Sequence, residues 1–398
     1  MQPLTVSPAP AGPGPQATRG RWIWRASGAL TIIALGAFGS AAIVRAGDQP
    51  SFPMPVTAVP TRTVTVAQPV RALNVQSYGA PIKVTTVPGG PVRVAESITF
   101  SSADGLPAVT DADSHGLLTL AAPACANSDC SVAFAVTVPS GITVSAVADG
   151  GAVTVVGTGA ANINSGGGPV YAASINGPLT VSAEGGGVTV NNAADADLDS
   201  GGGPVTATGV SGKLTVHADG GGVTVSRAPS AIVDSGGGPV YAASIDGPLT
   251  VTAEGGGVTV SGAGATEIDS GGGPVTATTV RGPLGVTADG GGVQANDVTG
   301  TLNVDTGGGP LSANSITSPS AVVSGEGGGI TLGFTTPPVS VRVTTGGGDA
   351  ALSVPGGPYA VAADTGGSAE SVIVATSPDA ARSISVSTDG GNLEIGPA

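Results

Sequence analysis

The stretch SGGGPVYAASINGPLTVSAEGGGVTV occupies residues 165–190, and SGGGPVYAASIDGPLTVTAEGGGVTV occupies residues 235–260. The copies differ only at Asn176/Asp246 and Ser182/Thr252. Inside each copy apolar and polar residues alternate. Leu179, Val181 and Ala183 fall on one side of an extended chain, and Thr180 and Ser182 on the other. Val188 and Val190 likewise oppose Thr189. A period of two is the mark of a strand with one face buried.

The copies belong to a longer array. Glycine triplets begin at Gly166, Gly185, Gly201, Gly220, Gly236, Gly255, Gly271 and Gly290, with spacings that alternate between 19 and 16 residues. The array loosens into triplets at Gly307, Gly327 and Gly346. Two coils therefore make one 35-residue unit. A coil of 16–19 residues has room for about two short strands and cannot bury its own apolar side, whereas stacked coils bury one another's. The expected fold is all-β, a parallel β-solenoid. Leu179, Leu214, Leu249 and Leu284 recur 35 residues apart and predict an inward ladder, as do Val181, Val216, Val251 and Val286. The glycines are expected at corners that need either positive φ or close backbone approach. The ends of such a stack need caps. Residues 61–148, which are less regular, are expected to supply one, ahead of regular repeats and a second cap within 149–398. The acidic tail STDGGNLEIGPA is expected to close the far end.

The composition suits this architecture and little else. Glycine and proline number 68 and 32 among 398 residues, while aromatic residues are 3% and charged residues 10%. The formal net charge is −14, although residues 1–45 hold four arginines and no acid. The chain beyond residue 45 is thus strongly acidic, which argues against nucleic acid and anionic headgroups as partners. The scarcity of lysine, against abundant alanine, glycine and valine, matches a high-GC bacterial genome of actinobacterial type.

Residues 1–21, which include PAPAGPGP, read as a disordered cytoplasmic tail. Residues 22–45 read as a transmembrane signal anchor. Residues 26–44 carry no charge, a length sufficient for a hydrocarbon core of roughly 30 Å. Trp22 and Trp24 sit at the expected interface, and Arg19, Arg21 and Arg25 precede the span. The positive-inside rule places the N-terminus in the cytoplasm and residues 46–398 outside the cell membrane. A cleavable signal peptide ending near residues 44–46 is the alternative, and it exports the same segment. Residues 46–60 read as a proline-rich linker. The only cysteines, Cys125 and Cys130, lie in CANSDC and are expected to form a disulfide in an exported segment.

Residues 69–100, PVRALNVQSYGAPIKVTTVPGGPVRVAESITF, resemble the opening segment of the bacterial putative-adhesin domain family, a domain of unknown function. Residues 134–157, FAVTVPSGITVSAVADGGAVTVVG, resemble its central signature, a V-P-x-G strand followed by G-x-V-x-V coils. The resemblance covers roughly residues 65–398. It implies an envelope-exported β-solenoid, anchored by one helix, and carries no catalytic residues. The triple glycines and regular 35-residue period depart from the family pattern.

The remaining signals concern ligands. Thr180, Thr215 and Thr250 predict an outward ladder, joined by Tyr171 and Tyr241, that would face an envelope glycan or another surface. Thr189, Thr224 and Thr259 predict another. Glu184, Asp219, Glu254 and Asp289 recur before glycines, with Asp199, Asp234, Asp269 and Asp305 in a second series. Such acids suit calcium, yet they more often keep turns solvated, and no metal or other cofactor is expected. His115 and His217 are the only histidines, and no nucleophile–base arrangement assembles around them. The reading is a membrane-anchored surface-binding or adhesion module, not an enzyme. A structural spacer or an envelope-stress component contacting membrane proteins is the alternative. A carbohydrate-active enzyme ranks third.

Overall fold

A computed structural model describes residues 56–58, 61–101, 110–122 and 130–398, which contain 34 strands and no helix. The predicted tail and anchor lie outside the described residues. No helix long and apolar enough to cross a membrane occurs among those that are described. Part of the predicted linker is strand: Val56–Ala58 pairs antiparallel with residues 99–101.

The repeats form a parallel β-solenoid of about 12 turns. Each coil supplies one strand to sheet A and one to sheet B. Val170–Ala183 and Val188–Ser200 run unbroken through the corner and serve both sheets. Sheet A stacks Val153, Val170, Val188, Val205, Val223, Val240, Val258, Val275 and Val293 in one column. Sheet B stacks Val144, Ala161, Leu179, Ala196, Leu214, Ala231, Leu249, Thr266 and Leu284. Both columns point inward and are almost wholly buried, with no member more than 4% exposed. Branched and aliphatic side chains of this kind contribute about 1.5–3 kcal/mol each on full burial.

The column numbers show that coils alternate between 17 and 18 residues, although the triplets alternate between 19 and 16. The proline after every second triplet explains the offset. It moves the third glycine of one triplet above the second glycine of the next. Gly168, Gly186, Gly203, Gly221, Gly238, Gly256, Gly273 and Gly291 thereby form a buried column. A Cβ on Gly221 would lie 2.1 Å from the Gly203 carbonyl oxygen, and one on Gly203 would lie 2.3 Å from that of Gly186. Close backbone approach, not positive φ, therefore dictates glycine here. On alternate coils the corner is tied by a hydroxyl. Ser165, Ser200, Ser235 and Ser270 are buried and donate to the carbonyl three residues on, at 2.7, 2.8, 3.0 and 2.9 Å.

Positive φ appears at the opposite corner. Ser174, Asn192, Gly209, Arg227, Ser244, Gly262, Thr279, Asp297 and Ser315 all have φ between 54° and 73°. Only two of the nine are glycine, so most coils hold a side chain in a conformation that costs about 1 kcal/mol or more. Thr279 is the least suited, because a β-branched residue is crowded there.

Both ends interleave. At the N-terminal end the relevant strands are β1 (Val56–Ala58), β2 (Arg62–Val66), β3 (Ala72–Tyr78), β4 (Ile82–Val87), β5 (Val92–Ser101), β6 (Thr110–Ser114), β7 (Leu117–Ala121), β8 (Ser131–Pro139), β9 (Thr143–Asp149) and β10 (Val153–Val156). The β3/β4 coil comes first in sequence, yet it lies between β7/β8 and β9/β10. Antiparallel β5 then covers the edge of β8, and β2 covers β5. The pairing sets Arg62 opposite Glu96, whose buried carboxylate lies 3.6 Å from the guanidinium. At the other end, Ser383–Thr388 and Leu393–Pro397 insert between the coil of Ser340–Thr345 and Ala350–Val354 and that of Ala360–Asp364 and Glu370–Val372. The tail expected to close the stack is therefore inside it, and residues 360–372 form the outermost coil. Ladder pairing decides this order, and repeat periodicity carries no information about it.

Candidate functional site

Position by position, sheet A presents two outward columns. The first runs Thr154, Tyr171, Thr189, Thr206, Thr224, Tyr241, Thr259, Thr276, Gln294, Ser312 and Thr331. The second, two residues further along each strand, includes Ala173, Asn191, Thr208, Ser226, Ala243, Ser261, Thr278 and Asn296. Neither column contains a charged residue over this length. Neighbouring coils lie ~4.8 Å apart and the columns about 7 Å apart, giving a nearly flat rectangular lattice of hydroxyl and amide groups.

The second column is partly engaged. Thr208 and Ser226 share a hydrogen bond of 3.2 Å, and Thr278 donates to the Val260 carbonyl at 3.2 Å. The hydroxyls of Thr189, Thr206, Thr224, Thr259 and Thr276 make no hydrogen bond among the described residues and are open to a ligand. Tyr171 and Tyr241 stand proud of this lattice at 41% and 51% exposure.

Sheet B differs in charge. One outward column runs Thr180, Asp197, Thr215, Ile232, Thr250 and Glu267. The next runs Ser182, Asp199, His217, Asp234, Thr252, Asp269, Thr287 and Asp305. The predicted ladder is therefore divided. Thr180, Thr215 and Thr250 lie on sheet B, interrupted by Asp197 and Ile232, whereas Tyr171 and Tyr241 lie on sheet A. Thr189, Thr224 and Thr259 share the tyrosine column, and Thr206 and Thr276 complete it.

The acids occupy alternate coils. Asp199 and Asp234 are separated by His217, which meets Asp234 at 3.1 Å and Asp219 at 3.3 Å. Glu184, Asp219, Glu254 and Asp289 are exposed at the glycine corner, again in every second coil. Within each of these two series like charges are thus about 10 Å apart instead of in adjacent strands, which reduces their repulsion. No group of three or more metal-ligating side chains occurs among the described residues. Cys130 immediately precedes β8 and is not a free thiol, while Cys125 lies outside the described residues.

At the N-terminal end the lattice runs into a shallow depression of about 330 Å³. Its floor includes Ala95, Ala133 and Ala135, with Lys83 and Thr154 at the side nearest the lattice. Lys83 pairs with Thr154 and so occupies the tyrosine column one coil before the uncharged stretch begins.

No family model and no curated protein matches the chain. Two solved structures align with it. One is the crystal structure of a putative adhesin from Parabacteroides distasonis ATCC 8503, with 13% identity, coverage of 71% of this chain and 98% of that one, and a TM-score of 0.27. The other is a putative adhesin from Parabacteroides merdae ATCC 43184, with 12% identity, coverage of 85% and 95%, and a TM-score of 0.19.

Proposed function

We propose that the solenoid is a non-catalytic surface-binding module whose working face is sheet A. The observation that supports this reading is the segregation of charge. Between residues 154 and 331 an acidic chain keeps both outward columns of one sheet free of charge, while Asp199, Asp234, Asp269 and Asp305 lie on the other sheet, Glu184, Asp219, Glu254 and Asp289 at the glycine corner, and Asp195, Asp246 and Asp297 at the opposite corner. Solubility alone requires no such separation. A face of evenly spaced, unengaged hydroxyls suits a partner that also repeats and is also uncharged.

The reading includes export. Residues 22–45 hold the chain in the cell membrane, residues 46–398 stand outside, and Cys125 pairs with Cys130. A reporter fused after Ala398 that is active only in the cytoplasm would reverse this topology. Alkylation of both cysteines in the exported protein would remove the disulfide.

Binding to intact bacterial cells tests the working face. Thr206→Glu with Thr224→Glu places two charges on sheet A and is expected to abolish saturable binding. Thr215→Glu with Thr250→Glu adds the same charge to sheet B and is expected to leave binding intact. Equal effects of the two pairs would defeat the reading. Binding lost on chelating calcium would move the site to the acidic corners.

A second reading, a spacer, is favoured by the interchangeable 35-residue units, which add length without altering either face. It predicts that neither pair of substitutions matters.

A further inference from the structure

Three features of sheet A define its ligand more narrowly than a surface in general. Tyr171 and Tyr241 occupy the same outward column and are four coils apart, about 19 Å along the solenoid axis. Beside each tyrosine the next outward residue is an alanine, Ala173 or Ala243, where the other coils carry Asn191, Thr208, Ser226, Ser261 or Thr278. Each aromatic ring therefore has no polar side chain next to it on its own strand. Between the two tyrosines lie Thr189, Thr206 and Thr224, whose hydroxyls are unengaged.

We infer that sheet A binds an extended, uncharged β-linked polysaccharide lying along the solenoid axis, with sugar rings stacked on Tyr171 and Tyr241. This inference rests on the proposal that sheet A is the working face. The chemistry matches at each point. A β-1,4-linked chain is a flat ribbon whose ring faces present C–H groups and whose edges present hydroxyls. The C–H faces suit an exposed aromatic ring, and the edge hydroxyls can exchange hydrogen bonds with the intervening threonines. Two platforms on one polymer act together, so the second contact forms at high effective concentration. A coiled polymer cannot follow a flat lattice over 19 Å, roughly four strand spacings. A polyanion meets the acids of the glycine corner and sheet B, whose field extends over the face at low salt.

Affinity electrophoresis of the full-length chain in mild detergent tests this, with hydroxyethyl cellulose as the neutral ribbon and carboxymethyl cellulose as its anionic counterpart. The expected result is retardation by the neutral polymer and at least about tenfold weaker retardation by the anionic one at low salt. Tyr171→Ala with Tyr241→Ala should weaken retardation by about tenfold or more. Tyr171→Phe with Tyr241→Phe keeps the rings and should stay within about twofold. Circular dichroism establishes that each variant is folded, and the phenylalanine pair serves as the control for any general disturbance. No retardation by the neutral polymer, or retardation that survives the alanine pair, overturns the inference. If cell binding persists in that case, the surface-binding proposal stands without the polysaccharide. If cell binding is also absent, both fall.

Discussion

Two adjacent glycines in one triplet have opposite duties. Gly273 lies in the buried column, and a Cβ there would meet the Gly256 carbonyl oxygen at 2.3 Å and its carbon at 2.4 Å. Gly272, one residue earlier, has nothing within 4 Å of its Cβ position and no left-handed φ. Gly273→Ala must push two coils apart and is expected to destabilise the solenoid by more than about 3 kcal/mol. Gly272→Ala is expected to be neutral or to stabilise by about 0.4–1 kcal/mol through the unfolded chain. Denaturant melts of the two variants decide the matter, and equal effects would show that the column is not under steric pressure. The opposite corner supplies the converse test. Thr279 holds φ at 58°, so Thr279→Gly should raise stability by about 1 kcal/mol despite adding a glycine. The hydroxyls that tie the alternate corners were legible as a serine recurring every 35 residues, but their bonds were not. Ser200→Ala should cost about 1 kcal/mol, the typical worth of a buried hydrogen bond whose acceptor is left unmet.

At the scale of strands and coils, the sequence carried the inward ladders plainly, because Leu179, Leu214, Leu249 and Leu284 recur every 35 residues and the coils between them add Ala196, Ala231 and Thr266, which are buried as well. It carried the outward faces badly. A 35-residue comparison aligns each coil with its second neighbour and skips the coil between. Thr180 therefore looked continuous with Thr215, when Asp197 stands between them. The proline in every second triplet added to this by shifting the glycines out of step with the strands. Only the 17- and 18-residue pairing register puts Tyr171, Thr189 and Thr206 in line. The same register makes a prediction about length. Deleting residues 205–239 joins Pro204 to Val240, the residue equivalent to Val205, and preserves every column. Its far-ultraviolet circular dichroism should stay that of a β-solenoid with a cooperative melt. Deleting residues 205–222 instead brings unlike coils together, setting a serine corner against a serine corner and breaking the alternation of acids on sheet B. It should fold less stably than the 35-residue deletion, and parity between the two would mean that the alternation has no energetic role.

Across the whole solenoid, the ends are the least periodic part and the part that periodicity reveals least. Residues 383–397 are nearly the last in the chain, yet they form the second coil from the end of the stack. Removing residues 383–398 is thus not a simple trimming. It takes away the surface on which residues 360–372 rest and exposes the ladder edges of Ser340–Thr345 and Ala350–Val354. Truncation there should produce aggregation in size-exclusion chromatography and loss of amide protection in residues 340–354, as expected of an uncovered strand edge. Unchanged protection would show that the last coil does not seal the stack. The N-terminal end is built the same way, with β3 and β4 held between two coils that follow them in sequence. This arrangement governs how the molecule bears load. A pull on the chain ahead of β1 strips β1 and β2 from β5 and then reaches β3, which cannot peel away from one neighbour because it is gripped by two. Once β1 and β2 are gone, the first solenoid strand reached from the N-terminal side and the last strand of the chain, Leu393–Pro397, are each paired on both sides, so tension drawn from either end is met by shear across two ladders before a single repeat can unwind.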